Sequence, residues 1–95
     1  MILNLNQIKS YSIPVLKEAG VLRSAIFGSY VRGEANENSD IDMLVELPKG
    51  KSLLDLVGLE QNLEQVLGKK VDLHTFRSIS PLLRSYIEKD QIQIL

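Results

Sequence analysis

Small and apolar residues near the start of the chain recur at helical spacing, which predicts a helix that stops at Gly20. Its expected inner face comprises Leu5, Ile8, Ser12, Val15, Leu16 and Ala19. Pro14 is expected to kink or split this helix, because proline disfavours helical geometry at the residue before it. The denser apolar run over residues 21–27 then predicts a buried strand that ends at Gly28.

Two more strands and a long helix are predicted in the middle of the chain. Residues 40–47 and residues 69–75 are the predicted second and third strands. Between them, Ser52 with Asp55 three residues later resembles a capping box that opens a helix. The apolar stripe expected to cover the sheet consists of Leu53, Leu56, Val57, Leu63, Val66 and Leu67.

A fourth helix and a short strand are predicted at the C-terminal end. Ser80 suits the cap of the helix and Pro81 suits its first turn. Leu83 and Ile87 are expected to pack inward. Residues 92–95 alternate weakly between polar and apolar side chains, which is typical of a short edge strand to which a partner can add.

Length and charge narrow the function. Ninety-five residues predict a single domain, residues 1–95, without a deep private cleft. Eleven basic and twelve acidic residues give a net charge of −1, which lacks the positive footprint of a nucleic-acid-binding protein. The chain has no cysteine, no apolar run of membrane-spanning length and no charged-then-apolar leader. We therefore expect a cytoplasmic protein that binds neither membranes nor, directly, nucleic acid.

The most distinctive stretch is residues 27–42, which read FGSYVRGEANENSDID. Gly28 and Ser29 end the first predicted strand, and a helix that begins at Ser29 would direct its free backbone N–H groups above the turn. Such a helix start is a ready site for an anion. The sequence therefore predicts a phosphate cradle at Gly28 and Ser29.

Asp40 and Asp42 form a pair of carboxylates on the second predicted strand. Because side chains alternate along a strand, both project to the same side and repel each other. A divalent cation such as Mg²⁺, which prefers oxygen ligands shared with phosphates, is a natural way to hold them together. The alternative is that Asp40 belongs to a turn and Asp42 is an exposed strand residue, since short acidic motifs recur by chance.

Asp72 and His74 share one face of the third predicted strand. If this strand lies beside the second one, Asp72 reaches the carboxylate pair from the side, and three aspartates can serve two metal ions. The alternative for Asp72 is a solvated strand aspartate. For His74, a general base and a plain polar surface residue both stay open.

Together, Gly28-Ser29, ten intervening residues, Asp40-x-Asp42 and Asp72 form a four-part pattern in a fixed order. This pattern resembles the nucleotidyltransferase fold of the DNA polymerase β superfamily, and more closely its minimal nucleotidyltransferase (MNT) branch. The resemblance covers nearly the full chain in length and element order. It implies an α+β fold, a small mixed β-sheet with helices packed on it and an α-β-α-β-α-β core.

The resemblance also implies a nucleotidyltransferase that uses ATP and two Mg²⁺ ions. Gly28 would let a phosphate approach the backbone, and Ser29 would offer its hydroxyl and a helix N-terminus to the β- and γ-phosphates. Catalysis and metal binding would fall to three carboxylates, those of Asp40, Asp42 and Asp72.

Other charged and polar residues around the motif have two interpretations each. Arg32 either neutralises phosphate charge in the nucleotide site or forms a surface ion pair with Glu34 or Glu37. Ser39 either braces the loop of the nucleotide site or is a plain turn residue. Four lysines are expected to be solvated loop charges: Lys49, Lys51, Lys69 and Lys70.

Members of the MNT branch typically occur beside HEPN-type toxin ribonucleases, so the resemblance implies an antitoxin that transfers AMP from ATP to a toxin tyrosine. The first alternative is a non-catalytic protein that neutralises such a toxin by covering it. The complete set of three carboxylates favours the enzyme, because a pure binding module has no physical need for it. Transfer to a small molecule would normally need a second domain to hold the acceptor. The nucleotide base and a homo-oligomeric state stay open.

Overall fold

The computed structural model describes residues 3–95, apart from the side chain of Tyr86. The chain alternates helices and strands, with a 3-10 turn after the third strand. The elements are α1 (Leu5–Glu18), β1 (Arg23–Phe27), α2 (Ser29–Arg32), β2 (Ile41–Glu46), α3 (Leu53–Leu67), β3 (Val71–Thr75), the 3-10 turn (Phe76–Ser78), α4 (Pro81–Lys89) and β4 (Ile92–Gln93). This architecture confirms the predicted α+β class.

The four strands form one mixed sheet in the order β3-β2-β1-β4. β2 pairs antiparallel with β1, which places Phe27 opposite Asp42, and pairs parallel with β3, which places Asp42 opposite Asp72. β4 pairs antiparallel with β1 at the other edge. The third strand therefore lies beside the second, as the carboxylate hypothesis requires.

One face of the sheet carries the core. Ile41, Met43 and Val45 of β2 are fully buried there, because every second side chain of a strand points to the same side. The helices contribute Ile8, Leu16, Leu59, Leu63 and Leu67 to the same cluster. Each such side chain stabilises the fold by about 1.5–3 kcal/mol relative to its exposed state. The opposite face carries the polar residues of β2 and stays partly open.

Pro14 lies inside α1 without splitting it. The expected inner faces of α3 and α4 are wrong in part. The buried stripe of α3 is Leu59, Leu63 and Leu67, whereas the predicted Leu53, Val57 and Val66 are exposed. At about 3.6 residues per turn, Val57 and Val66 fall on opposite flanks of that stripe.

In α4, Leu83 is 56% exposed and does not pack inward, while Ile87 is half-buried. The predicted helix caps at Ser52 and Ser80 are confirmed. The backbone N–H of Ser52 donates to Asp55 at 2.7 Å, and the Ser80 hydroxyl accepts from the backbone of Leu82. No helix within residues 3–95 is both long enough and apolar enough to cross a membrane.

The outer edge of β3 is covered by glutamate side chains from α3. The backbone N–H of Val71 donates to Glu64 Oε2 at 2.9 Å, and that of Leu73 donates to Glu60 Oε2 at 3.2 Å. Because β3 is the last strand on this side of the sheet, these N–H groups have no neighbouring strand to bond. The two carboxylates therefore occupy hydrogen-bonding positions that an added strand would need.

We expect Glu64→Ala to lower the free energy of unfolding by about 1–2 kcal/mol, because the partly buried Val71 N–H loses its charged acceptor. Gln65→Ala, an exposed change at the next position of the same helix, is the control and should stay within about 0.5 kcal/mol of wild type. Urea unfolding of the three proteins measures both values. Equal stability of the two variants would show that the hydrogen bond from Val71 to Glu64 does not stabilise the fold.

Candidate active site

Gly28 forms the turn between β1 and α2 in a conformation that suits glycine. Its φ of 81° and ψ of −150° lie where residues with a Cβ are strained. A Cβ built at this position would collide with the Asp42 carboxylate, whose Cγ lies 3.1 Å away. The backbone of the turn therefore lies directly against the carboxylate.

The helix that follows the turn is a single turn long, from Ser29 to Arg32, and ends at Gly33 in the left-handed region. Two of its backbone N–H groups, those of Val31 and Arg32, bond to the carbonyl of Gly28. A helix this short has little summed dipole. Anion binding at the turn would therefore depend on local N–H groups and on the Ser29 side chain.

A row of three side chains crosses the sheet next to this turn. Phe27, Asp42 and Asp72 occupy paired positions on β1, β2 and β3, so their side chains share the partly open face. Asp42 is half-buried and Asp72 is exposed. Two of the three predicted carboxylates are thus neighbours on adjacent strands.

The third carboxylate, Asp40, is exposed and lies one residue before β2 rather than inside it. Burial raises the pKa of the Asp42 carboxyl above its ordinary 3.8, and the charges of Asp72 and then Asp40 raise it further. Protonated His74 and Arg32 oppose this rise. All three aspartates therefore belong to one electrostatic group centred on Asp42.

His74 lies next to Asp72, with its Nε2 atom 3.3 Å from Asp72 Oδ1. The two groups form an ion pair when the imidazole is protonated. The ring of Phe27 packs at the same place, with its centroid 6.3 Å from that of His74. Phe27 was not among the predicted site residues, although its position immediately before Gly28 is a signal that could have identified it.

Ser39 and Lys69 hold the loop that leads to Asp40. The Ser39 hydroxyl accepts a hydrogen bond from the backbone N–H of Asn36 at 2.9 Å, a contact within the turn that fits both interpretations of Ser39. Lys69 donates from Nζ to the carbonyl of Glu37 at 2.8 Å. Lys69 is therefore partly exposed and also anchors this loop, a contact that the expectation of a solvated charge did not include.

Arg32 forms one of the two interactions considered for it, the surface ion pair with Glu34. Its Nε lies 3.5 Å from Glu34 Oε1, and both side chains are largely exposed, so this ion pair contributes little to stability. Its charge also acts on the Asp42 carboxyl, whose pKa it lowers. Arg32 is therefore available to a negatively charged ligand at the turn, because the competing pair is weak.

The family model described as nucleotidyltransferase domain matches residues 12–94. This chain belongs to the nucleotidyltransferase domain family. A Methanocaldococcus jannaschii protein, named as a candidate protein adenylyltransferase, is 54% identical over 93 residues, which are 98% of this chain and 100% of the relative.

Two solved structures are similar to this nucleotidyltransferase. The structure of a candidate minimal nucleotidyltransferase has 35% identity and a TM-score of 0.81, and the match covers 95% of both chains. A chain from a crystal structure of a toxin–antitoxin with AMP-PNP has 30% identity and a TM-score of 0.79. That match covers 96% of this chain and 73% of the other. The MNT resemblance is therefore confirmed, together with its fold.

The carboxylates of this nucleotidyltransferase suit Mg²⁺ in charge and in donor type. All three are oxygen donors. Burial raises the pKa of Asp42 most, and a divalent cation would relieve the repulsion from Asp72 and Asp40 that raises it further. Within residues 3–95, however, no group of three His, Cys, Asp or Glu side chains is arranged to hold a metal ion. The residues therefore fit the ion chemically without forming a preassembled cluster.

Gly28→Ala should cost more stability than Gly33→Ala, although both glycines have positive φ. A Cβ at position 33 has no described neighbour within 4 Å, so that variant carries backbone strain alone, about 1 kcal/mol. Gly28→Ala adds the collision with Asp42, and we expect a loss of about 2–4 kcal/mol. Urea unfolding compares the two variants. Equal losses would show that contact with Asp42 adds nothing.

Asp42→Asn should leave the metal-free protein at least as stable as wild type at neutral pH. Because the pKa of Asp42 is raised in the folded state, ionisation of this group destabilises the fold as pH rises through the folded pKa. Below pH 3.8 the carboxyl is protonated in both states and this cost disappears. The stability difference between variant and wild type should therefore narrow towards acid pH, as followed by thermal unfolding. A variant that is less stable than wild type at neutral pH would contradict this account.

Proposed function

We propose that this nucleotidyltransferase transfers AMP from ATP to a hydroxyl group of a partner protein. The observation that carries the proposal is the packing of the Gly28 turn against Asp42 in a row with Asp72. A phosphate at the turn would lie beside one carboxylate, and an acceptor on the open face would lie beside the other. The protein adenylyltransferase name of the 54% identical relative supports AMP as the transferred group.

The turn binds the triphosphate in this proposal. Gly28 has no side chain to block the approach of a phosphate, and Ser29 donates a hydrogen bond from its hydroxyl. Arg32 adds a positive charge at the end of the same helical turn. The AMP-PNP in the toxin–antitoxin structure supports ATP as the nucleotide.

Asp40, Asp42 and Asp72 are the proposed ligands of two Mg²⁺ ions. Bound Mg²⁺ would neutralise phosphate charge and make the α-phosphorus a better electrophile. Asp42 holds its position through the packing of Gly28 against it, and Asp40 is held by the loop that Ser39 and Lys69 anchor. These contacts support the proposal that the aspartates need only small side-chain movements to bind the ions.

Asp72 orients the acceptor in this proposal. It is exposed at the outer end of the row, so an incoming hydroxyl can donate a hydrogen bond to its carboxylate. The hydroxyl oxygen attacks the α-phosphorus, the bond from that phosphorus to the bridging oxygen breaks, and pyrophosphate leaves. Asp72 accepts the hydroxyl proton. His74, at 3.3 Å, steadies the Asp72 carboxylate in that position.

The proposed acceptor is a tyrosine of a HEPN-type toxin, which makes the protein a cytoplasmic antitoxin. The toxin–antitoxin structure similar to this chain supports such a partner. The open sheet face also supports a protein acceptor, because a small domain with an open site does not by itself enclose a small molecule. Positioning of the acceptor supplies much of the rate of such a transfer, so the partner must bring its own geometry.

The test is mass spectrometry of the partner toxin after incubation with ATP, Mg²⁺ and this protein. We expect an added mass of one or more AMP units, with loss of transfer in Asp40→Ala, Asp42→Ala and Asp72→Ala. Each substitution removes one proposed ligand, so rates should fall by at least about a hundredfold. Lys89→Ala, at an exposed position on α4, is the control and should transfer AMP normally.

Binding to the partner, followed by size-exclusion chromatography, should persist in all three aspartate variants. The opposite result would be a triple-alanine protein that still neutralises its toxin in cells, with no AMP on the toxin. In that case the covering antitoxin is the correct function.

A further inference from the structure

A half-open groove of about 1000 Å³ lies beyond the row of carboxylates, and none of the three residues of that row lines it. Leu44 and His74 line its near end on the sheet, residues 47–53 form one wall, and the C-terminal half of α4 forms the other. Its volume is at the upper end of the range for small-molecule pockets, about 300–1000 Å³. The groove is therefore large enough to hold a segment of the acceptor protein as well as its reacting side chain.

The groove begins two residues along the strands from the proposed acceptor position. Leu44 follows Asp42 by two residues on β2 and is paired with His74, which follows Asp72 by two residues on β3. Two residues along a strand are about 7 Å, and both pairs share one face of the sheet. A chain segment lying in the groove would therefore end within one side chain's length of Asp72.

Charge is distributed unevenly around this groove. Its lining contains five of the eleven basic residues of the protein but two of the twelve acidic ones, Glu46 and Glu88. The basic residues are Arg23, Lys49, Lys51, Arg77 and Arg84. Among the described side chains, only Arg23 of these five forms an ion pair. Its partner is Glu46, at 2.7 Å. Beyond that pair, the groove offers four basic side chains and one carboxylate, that of Glu88, in a protein of net charge −1.

The same groove exposes large apolar side chains. Leu22 is 60% exposed and Leu53 is 74% exposed, while Leu56 and Ile87 are half-buried in its lining. Apolar side chains next to unpaired cations suit a ligand that is both acidic and apolar.

One face of the Phe76 ring, the aromatic side chain of the groove, is occupied by an arginine. The Arg23 guanidinium lies 4.0 Å from the centroid of the Phe76 ring. Single-stranded nucleic acids are held largely by stacking of bases on open aromatic rings. The partly covered ring and the exposed leucines therefore favour a polypeptide over RNA.

We propose that this groove binds an acidic, leucine-rich type of segment on the acceptor protein and so directs the acceptor hydroxyl to Asp72. The proposal rests on the proposed protein-directed transfer, and it adds the surface and the chemistry by which the acceptor is chosen. Arg77 and Arg84 attract the acidic side chains of the segment, and Leu53 and Leu22 contact its apolar ones.

The test uses fluorescein-labelled synthetic peptides, each with one tyrosine, and fluorescence anisotropy without ATP. One peptide contains leucine and glutamate, a second has lysine for every glutamate, and a third has serine for every leucine. We expect the leucine–glutamate peptide to bind about tenfold more tightly than either of the others at about 0.05 M salt. The advantage over the lysine peptide should shrink at about 0.5 M salt, because salt screens exposed charges.

Matched variants locate the binding surface. Arg77→Glu combined with Arg84→Glu should weaken binding of the leucine–glutamate peptide by about tenfold. Lys9→Glu combined with Lys89→Glu makes the same change of net charge outside the groove and should change binding less than twofold. Leu53→Ser should weaken binding by roughly fivefold, whereas Leu54→Ser, 82% exposed but outside the lining, should not. Circular dichroism checks that each variant is folded.

Three results would overturn the proposal. The first is equal binding of all three peptides, and the second is equal weakening by the groove and control variants. The third is tighter binding of a labelled oligouridylate that displaces the peptide, since the occupant would then be nucleic acid.

These experiments distinguish a failure of the groove proposal from a failure of the proposed AMP transfer. Asp42→Asn should bind the leucine–glutamate peptide as wild type does, because Asp42 does not line the groove. Groove-dependent peptide binding without any AMP transfer to the partner toxin would overturn the proposed function alone. Normal transfer to the toxin by the Arg77→Glu and Arg84→Glu double variant would overturn the groove proposal alone.

Discussion

The close packing of the Gly28 backbone against the Asp42 carboxylate is the constraint on which the site depends. It requires glycine at the end of β1, because a side chain there would occupy the space of the carboxylate. It also requires the antiparallel register that places Phe27 opposite Asp42. The parallel pairing of β2 with β3 then fixes the position of Asp72. One contact and two strand registers thus bring the Gly28 turn and two carboxylates to one place.

This arrangement carries an electrostatic cost in the ligand-free protein. Asp42 is half-buried between like charges, and its raised pKa is the direct expression of that cost. The fold stays stable despite this repulsion because the other face of β2 is fully buried against the helices. Stability gained in the core therefore offsets repulsion at the site, a common exchange in proteins whose active sites bind cations or phosphates.

The sequence predicted the local features well and the long-range ones less well. The turn at Gly28, the strand that carries Asp42 and the cap at Ser52 depend on neighbouring residues, so their patterns are visible in the chain. The contact of Lys69 with the Glu37 carbonyl joins residues 32 positions apart. No local pattern encodes it, and the inner stripe of α3 likewise depends on where the helix meets the sheet. The position predicted for Asp72 depended on the assumption that β3 lies beside β2, which the sequence pattern alone does not establish.

The covering of the β3 edge by Glu60 and Glu64 also decides how a partner can be recognised. A partner cannot add a strand beside Asp72, so it cannot be recognised there through backbone hydrogen bonds. On this side of the sheet, recognition would then depend on side chains that lie across the strands on the open face. Side-chain contacts can be exchanged one residue at a time without disturbing the sheet, so related proteins can acquire different partners while the chemical site is unchanged.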